Sequence, residues 1–222
     1  MREQAVKTGY SIKEEIAHSV THGIGALLSI VGLATLIVCS SMYGDAWHAV
    51  SSSIYGFTLV ALYTLSTLYH CVTEPELKRI FQKLDHAAIF LLIAGTYTPF
   101  TLVNLRGAWG WTLFGMVWAI SIAGIIMELM VKKRHRRISI GLYIGLGWLV
   151  VIAVEPMIAN VAPVGLVLLF IGGLFYSLGV IFYVWKTLPY HHAIWHLFVL
   201  AGSAFHFFAV LLYVVPNPYT AR

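Results

Sequence analysis

The sequence predicts an all-α, polytopic membrane protein that folds as a bundle of seven transmembrane helices. Of its 222 residues, 59% are hydrophobic and only 10% are charged, whereas a soluble domain has roughly 45–50% apolar and ~25% charged residues. The apolar residues come in unbroken runs of about 20, the length of a membrane-spanning helix, and not in the alternating segments of a transmembrane β-barrel. These observations exclude soluble enzymes, disulfide scaffolds, disordered regulators and coiled coils.

Each predicted span is an apolar run, and a short polar or turn-forming connection separates it from the next. In chain order the runs cover residues 23–41, 46–69, 86–103, 109–131, 138–154, 164–185 and 192–215. The connections are marked, in the same order, by Gly44-Asp45, Glu74-Pro75, Arg106-Gly107, the basic segment 132–137, residues 160–163 and Pro189. Because connections this short join antiparallel neighbours, we expect residues 1–222 to form a single membrane domain with a short N-terminal arm, residues 1–14.

Lysine and arginine are distributed unevenly between the two sides of this bundle. One side carries twelve, of which three lie in the arm, three in the second loop, five in the fourth and one in the sixth; the other side carries only Arg106 and Arg222. The positive-inside rule then places the N-terminus in the cytoplasm and, for seven spans, the C-terminus outside. The arm is too long and too acidic for a cleaved signal peptide, so we expect the chain to keep it. Nucleic-acid binding has no support, because no folded basic domain is present.

Ionisable and polar side chains near the span ends are the main evidence for function, because an unpaired one in the membrane is costly. Four runs carry such residues at the end predicted to face the cytoplasm. They are Glu15, His18 and His22 before the first run, Ser66 and His70 in or next to the second, Asp85 and His86 at the third, and His192 and His196 at the seventh. We therefore expect carboxylates and imidazoles from four helices at one level of the membrane.

The spacing in the first segment predicts a helix that begins before its apolar run. Ser11 followed by Glu14 three residues later fits a capping box. A helix starting there places Glu15, His18 and His22 on one face, at i, i+3 and i+7.

The spacing in the last run indicates a metal site. His192 and His196 are four residues apart, so on a helix they point the same way and can bind one metal ion. His70 is the best candidate for a third ligand, with Asp85 near enough to hold or deprotonate a bound water. A proton relay or a structural hydrogen-bond network explains the same clustering and stays open.

The other histidines are expected to have ordinary roles. His48 and His135 are predicted to be interfacial or hydrogen-bonded residues, and His191 is predicted to precede the last helix and face the cytoplasm. His206 lies roughly 15 Å from His196 along a helix, which is too far to share its metal, so a buried hydrogen bond is expected there.

These segments resemble the three motifs of the progestin and adipoQ receptor superfamily. The motifs are Glu15-x-x-His18-x-x-x-His22, Ser66-x-x-x-His70 followed by Asp85, and His192-x-x-x-His196. Asp85-His86, the string 94–100 and the segment 192–196 are similar to its bacterial branch, the hemolysin III family. The family usually has Asn where this chain has His18, a departure that weakens any direct role assigned to that position by resemblance.

The resemblance implies a zinc ion (Zn2+) near the cytoplasmic face, bound by His70, His192 and His196 and contacted through water by Asp85. It also implies a relation to membrane ceramidases, and hence hydrolysis of a lipid amide with Ser66 in the site. For the bacterial branch it implies a multi-pass protein of the plasma (inner) membrane, a hemolytic activity and an involvement in membrane homeostasis.

Three functions follow from these residues. The first is a zinc-dependent hydrolase of a membrane lipid, with Asp85 as general base or water-positioning group and Ser66 as a hydrogen-bond donor. In it, Glu15, His18 and His22 would orient the ligands or move protons. The second is a non-enzymatic sensor or regulator in which zinc is structural. A pore-forming hemolysin ranks last, because the outer halves of most runs lack the polar residues that a pore lining needs.

Overall fold

A computed structural model describes residues 9–130 and 136–216, and in these ranges the chain is helical with short connections and has no β-strand. The helices are α1 (Ile12–Tyr43), α2 (Ala46–Cys71), α3 (Pro75–Pro99), α4 (Ala108–Met130), α5 (Arg136–Gly147), α6 (Val154–Asn160), α7 (Pro163–Val184) and α8 (His191–Tyr213). A π-helical turn, Phe100–Asn104, extends α3, and a 3-10 turn, Leu149–Ala153, joins α5 to α6. Most of the predicted arm, His135 and Arg222 lie outside the described residues.

Seven helical segments of the described chain are long and apolar enough to cross a membrane. Six of them are α1, α2, α3 with its π-helical turn, α4, α7 and α8; the other combines α5, the 3-10 turn and α6 into one span, Arg136–Asn160. The predicted all-α, seven-span architecture is therefore confirmed.

The capping box predicted for α1 is present. The Ser11 hydroxyl accepts a hydrogen bond from the Glu14 backbone N–H at 3.3 Å, and the Glu14 carboxylate accepts one from the Ser11 backbone N–H at 2.9 Å. These bonds satisfy two donors that a helix start otherwise leaves without partners. α1 consequently begins at Ile12, well before the apolar run 23–41, and includes the polar residues that precede the run.

The start of α3 differs from the sequence prediction. The apolar run begins at His86, but the helix begins at Pro75, where the Glu74 carboxylate caps the first turn and proline occupies a position that needs no N–H donor. Hydropathy detects only the apolar part of a helix, so the polar first turns were missed. Asp85 and His86 therefore lie inside α3 and do not open it.

Packing between neighbouring helices brings the ends of α1, α2, α3 and α8 together. α1 contacts α2 and α8, α2 contacts α3, and α7 contacts α8. Tyr55, Tyr63 and Phe90 are fully buried in the core. Gly95 lets α3 approach α2 closely, because a Cβ there would lie 2.1 Å from the Thr58 hydroxyl oxygen. The end of the bundle at which α1 and α8 begin is called the histidine end below.

Candidate metal centre

Three histidines from α2 and α8 lie together, buried, at the histidine end. His70, His192 and His196 offer ring nitrogens that all lie within 4.8 Å of one another. The ring centres of His192 and His196 are 4.6 Å apart because residues four positions apart on a helix lie on the same face. The His70 ring, from the last turn of α2, has its centre 5.2 Å from each of the other two. This group could hold a metal ion.

Residues of α1 orient two of these imidazoles. The Nδ1 atom of His70 lies 2.6 Å from Oε2 of Glu15, and Nδ1 of His196 lies 3.1 Å from the Thr21 hydroxyl. The Thr21 hydroxyl donates its hydrogen to the Ala17 carbonyl at 2.8 Å. It therefore accepts a hydrogen bond from Nδ1 of His196. A ring that donates through Nδ1 keeps Nε2 available as a ligand atom, the usual arrangement of histidine ligands in metalloproteins. Nε2 of His70 is indeed buried without a hydrogen-bond partner among the described residues.

Lys78 supports the Glu15 carboxylate, a role that sequence reasoning missed. Its ammonium group lies 3.2 Å from Oε1 of Glu15 and donates to the carbonyls of Tyr69 and Val72 at 3.0 and 3.1 Å. A buried lysine normally has such partners, because an unpaired charge away from water is costly. Lys78 is one of the three basic residues of the second loop that indicate topology, and no local spacing indicates its contact with α1.

His18 lies beside these three histidines and is fully buried. Its ring centre lies 4.6 Å from that of His70, 4.8 Å from that of His192 and 5.5 Å from that of His196. Its Nδ1 atom is 3.7 Å from Oε2 of Glu15. Glu15, His18 and His70 form a second group whose ligand atoms lie within 4.8 Å of one another. The structure thus places His18 closer to the possible ligands than its unusual identity suggested.

Tyr10 covers this cluster from the segment before α1. Its ring stacks on His192 with ring centres 5.4 Å apart and meets His18 edge-on at 4.8 Å. The Lys186 ammonium donates to its hydroxyl at 3.2 Å. Burial raises the pKa of the Tyr10 phenol well above its usual value, so the group stays protonated.

An apolar cavity of about 140 Å³ opens beside the histidines. Its polar lining includes residues singled out from the sequence, namely His22, Ser66, Asp85, His192 and His196. The His22 ring stacks on that of His196 with centres 3.4 Å apart, and the Ser66 hydroxyl oxygen has no hydrogen-bond partner in the described ranges. The cavity extends along the bundle to His206, which also lines a second, mainly apolar cavity of about 470 Å³.

A buried carboxylate on α4 lies near this cavity and was not identified from the sequence. The Ser139 hydroxyl donates to Oε1 of Glu128, and the Tyr143 hydroxyl lies 3.4 Å from the same oxygen. Tyr143 also donates to the His86 carbonyl at 3.0 Å. A single carboxylate near the end of the fourth apolar run was the signal that could have indicated this network.

The remaining described histidines have structural roles. His48 caps α2 together with Asp45, and His206 donates through Nε2 to the Leu169 carbonyl at 3.0 Å, both as predicted. The prediction for His191 was wrong. It is the first residue of α8 and is buried, and its Nδ1 lies 3.0 Å from the Phe182 carbonyl, because α8 folds back against α7 at this point.

Seven apolar spans and a buried cluster of histidines at one end define a multi-pass membrane protein with a possible metal site. The family model described as Haemolysin-III related matches residues 10–207, and the chain belongs to the hemolysin III family.

Relatives match almost the whole chain. It is 50% identical to the Hemolysin-3 homolog of Bacillus subtilis (strain 168) over 210 residues, which is 95% of this chain and 99% of the relative. It is 48% identical to the Hemolysin-3 of Bacillus cereus over 217 residues, 98% of this chain and 99% of the relative. Similarity extends to the human Monocyte to macrophage differentiation factor, 30% identical over 211 residues, 92% of this chain and 86% of the relative.

Proposed function

We propose that this protein is a zinc-dependent hydrolase that cleaves an acyl-amide bond of a membrane lipid and contributes to membrane homeostasis. One observation carries the proposal: His192 and His196, which share a possible metal site with His70, line an apolar cavity together with Asp85 and Ser66. Hydrolysis of a lipid amide uses a metal ion, an ionisable carboxylate and a hydroxyl group near the end of an apolar cavity. This site brings residues of all three kinds together.

The donor set suits zinc. Imidazole nitrogens are common zinc ligands, and three of them in a buried site leave a position for water or substrate. When bound, zinc lowers the pKa of a coordinated water and polarises a carbonyl group. His70, His192 and His196 would hold the ion, and the hydrogen bond between Glu15 and His70 would fix one ligand ring.

The residues of the cavity supply the remaining chemistry. The Asp85 carboxylate would accept the proton released when water attacks the amide. The Ser66 hydroxyl, which has no hydrogen-bond partner among the described residues, would donate to the oxygen of the carbonyl under attack. The apolar walls suit an acyl chain and give no support for a polar polymer such as nucleic acid.

The seven apolar spans suit the bacterial plasma (inner) membrane, and the excess of Lys and Arg on one side supports an orientation with the N-terminus and the histidine end towards the cytoplasm. The substrate would then come from the inner leaflet.

A second candidate function is a sensor or regulator in which the metal is structural. It is favoured by the way the cluster connects three helices: Glu15 of α1 is hydrogen-bonded to His70 of α2, which lies beside His192 and His196 of α8. A metal ion there would hold these helix ends together. Pore formation, which the names of the bacterial relatives suggest, ranks third because large side chains such as Tyr55 and Phe90 fill the core.

The test is turnover of a ceramide-like acyl-amide by the purified full chain in lipid nanodiscs. We expect hydrolysis by the wild type and a loss of about 10²-fold or more in Asp85→Asn with zinc retained, since a general base contributes about 10²–10⁴-fold. Asp45→Asn, at the opposite end of the bundle, is the matched control and should hydrolyse normally. A zinc-loaded wild type that is stabilised by the metal but releases no fatty acid would favour the regulator.

A further inference from the structure

We propose that the histidine end binds the phosphate headgroup of an acyl-amide lipid through Arg136 and Lys186, beside the candidate metal centre. This inference rests on the proposed function and narrows its substrate class to acyl-amide lipids that carry a phosphate close to the amide. The observation that carries it is a pair of cationic side chains on the ring of Tyr183, a residue that also lines the cavity beside the histidines.

Tyr183, in the last turn of α7, brings the two cations together. The guanidinium carbon of Arg136 lies 4.4 Å from the centre of the Tyr183 ring, and the Lys186 ammonium lies 5.3 Å from the same centre. An aromatic face attracts a cation but leaves its charge in place. Two positive charges next to one ring repel each other, and an anion that binds both would offset this repulsion.

Arg136 has donors left for such an anion. Its guanidinium group has five N–H donors, and its hydrogen bond within the described ranges goes to the Tyr183 carbonyl. The Nε atom is buried and has no hydrogen-bond partner among the described residues. No acidic side chain in residues 9–130 and 136–216 forms an ion pair with Arg136. Because buried polar atoms are nearly always satisfied, the unpartnered Nε points to a missing acceptor.

The two cations lie near enough to the candidate metal centre for one lipid to contact both sites. The ring centres of Tyr183 and His192 are 5.8 Å apart, so the Arg136 guanidinium is no farther than about 10 Å from the His192 ring. Lys186 is connected to the same histidine through Tyr10, because its ammonium lies 5.6 Å from the Tyr10 ring centre and Tyr10 stacks on His192. A lipid whose phosphate is a few bonds from its amide can place the phosphate at the cations and the amide near the metal.

The cavity determines the rest of the ligand. Tyr183 and His192 line the same apolar space, so an anion held by the two cations lies next to walls that suit an acyl chain. Arginine binds phosphate through paired N–H donors, and lysine binds it as a compact charge. A neutral headgroup leaves Arg136 without an acceptor, and inorganic phosphate leaves the apolar space unused. A phosphate-bearing acyl-amide lipid matches both features.

The test is native mass spectrometry of the purified full chain with a ceramide phosphate and with the ceramide that lacks the phosphate. All proteins carry Asp85→Asn so that neither lipid is cleaved. We expect this parent protein to bind the phosphate-bearing lipid at least about tenfold more tightly, because hydrogen bonds to charged groups are strong. Arg136→Gln should lose most of this preference, and Lys186→Gln, at an exposed position, should lose part of it. Arg79→Gln is the matched control and should keep the preference, since Arg79 is an exposed arginine at the same end of the bundle and pairs with Glu76.

Each other outcome is decisive. Equal binding of the two lipids by the parent protein, or an unchanged preference in both Arg136→Gln and Lys186→Gln, would overturn the headgroup site and leave the hydrolase intact. Displacement of the ceramide phosphate by an equal concentration of inorganic phosphate would also overturn it, because the free anion would then suffice. A headgroup preference in a protein whose wild type hydrolyses no acyl-amide would overturn the hydrolase alone. Because the parent protein and the exposed Lys186 each give an answer, the test does not depend on the folding of Arg136→Gln.

Discussion

Two carboxylate–imidazole pairs lie at opposite ends of this bundle, and the distances between their paired atoms are nearly equal. Oε2 of Glu15 is 2.6 Å from Nδ1 of His70, and Oδ1 of Asp45 is 2.7 Å from Nδ1 of His48. The first pair joins two helices and is buried, with 0% of the His70 side chain and 10% of that of Glu15 exposed. The second is local and open to solvent, with 18% of His48 and 51% of Asp45 exposed.

The difference lies in what else each pair contacts. The Asp45 carboxylate accepts hydrogen bonds from the backbone N–H groups of Trp47 and His48, so its pair caps a helix, and these bonds keep the pKa of Asp45 below its usual value. The Glu15 pair presents the other nitrogen of His70 to further imidazoles. A short carboxylate–imidazole distance is thus not evidence of a metal site until the second ring nitrogen is accounted for.

The largest expected effect is a difference in chelator response between variants of His70 and His48. His70→Ala removes a ligand and should abolish most zinc binding, so its melting temperature should no longer respond to a chelator. His48→Ala should keep the response of the wild type, because it leaves the metal ligands intact and a metal that binds only the folded state stabilises it according to RT ln(1 + [L]/Kd). Thermal unfolding with and without chelator measures both. Equal chelator responses in the two variants would contradict the comparison.

The second largest effect is a difference in zinc affinity between variants of the two carboxylates, Glu15 and Asp45. Glu15→Gln weakens the hydrogen bond that orients His70, and loss of such support typically lowers metal affinity about 10–100-fold. Asp45→Asn should leave zinc affinity unchanged. Competition with a chelator of known affinity measures the difference, and a normal affinity in Glu15→Gln would show that the pair at the histidine end is only structural.

A smaller effect is expected for the hydroxyl that contacts His196. Thr21→Val removes that contact, but the His18 carbonyl lies 3.3 Å from the same Nδ1 and can still accept its hydrogen bond. We therefore expect zinc affinity to fall by less than about tenfold. Thr35→Val, on the exposed part of the same helix, is the matched control. A complete loss of zinc binding in Thr21→Val would mean that the His18 carbonyl does not replace the Thr21 hydroxyl as the acceptor for Nδ1 of His196.

The smallest effect concerns the cap at the opposite end. Because the pKa of Asp45 is lowered in the folded state, its carboxylate stabilises the fold above the ordinary pKa of about 3.9, and this contribution is lost as pH falls below it. Asp45→Asn should therefore lose less stability than the wild type between about pH 5 and pH 3. Identical pH profiles of thermal unfolding in the two proteins would contradict the capping role.

The sequence predicted some of this architecture because periodicity within one helix is a local property. The apolar runs indicated the seven spans, the Ser11 capping box placed the start of α1, and the spacing of His192 and His196 put both on one face. Glu15 was assigned to the site without its partner, because its contact with His70 depends on how α1 packs on α2.

Other contacts were not predicted for the same reason. Lys78 reaches Glu15 from the first turn of α3, in a segment that hydropathy left outside the span. Tyr10 covers the cluster from a segment with no periodic pattern. Contacts between helices depend on packing, which spacing within one helix does not determine.

The most direct test of the central claim is the zinc content of the purified protein, measured by elemental analysis beside that of His192→Ala. The histidine cluster predicts about one zinc ion per wild-type chain and a sharp fall in the variant. A metal-free wild-type preparation that keeps full stability and activity would contradict the account.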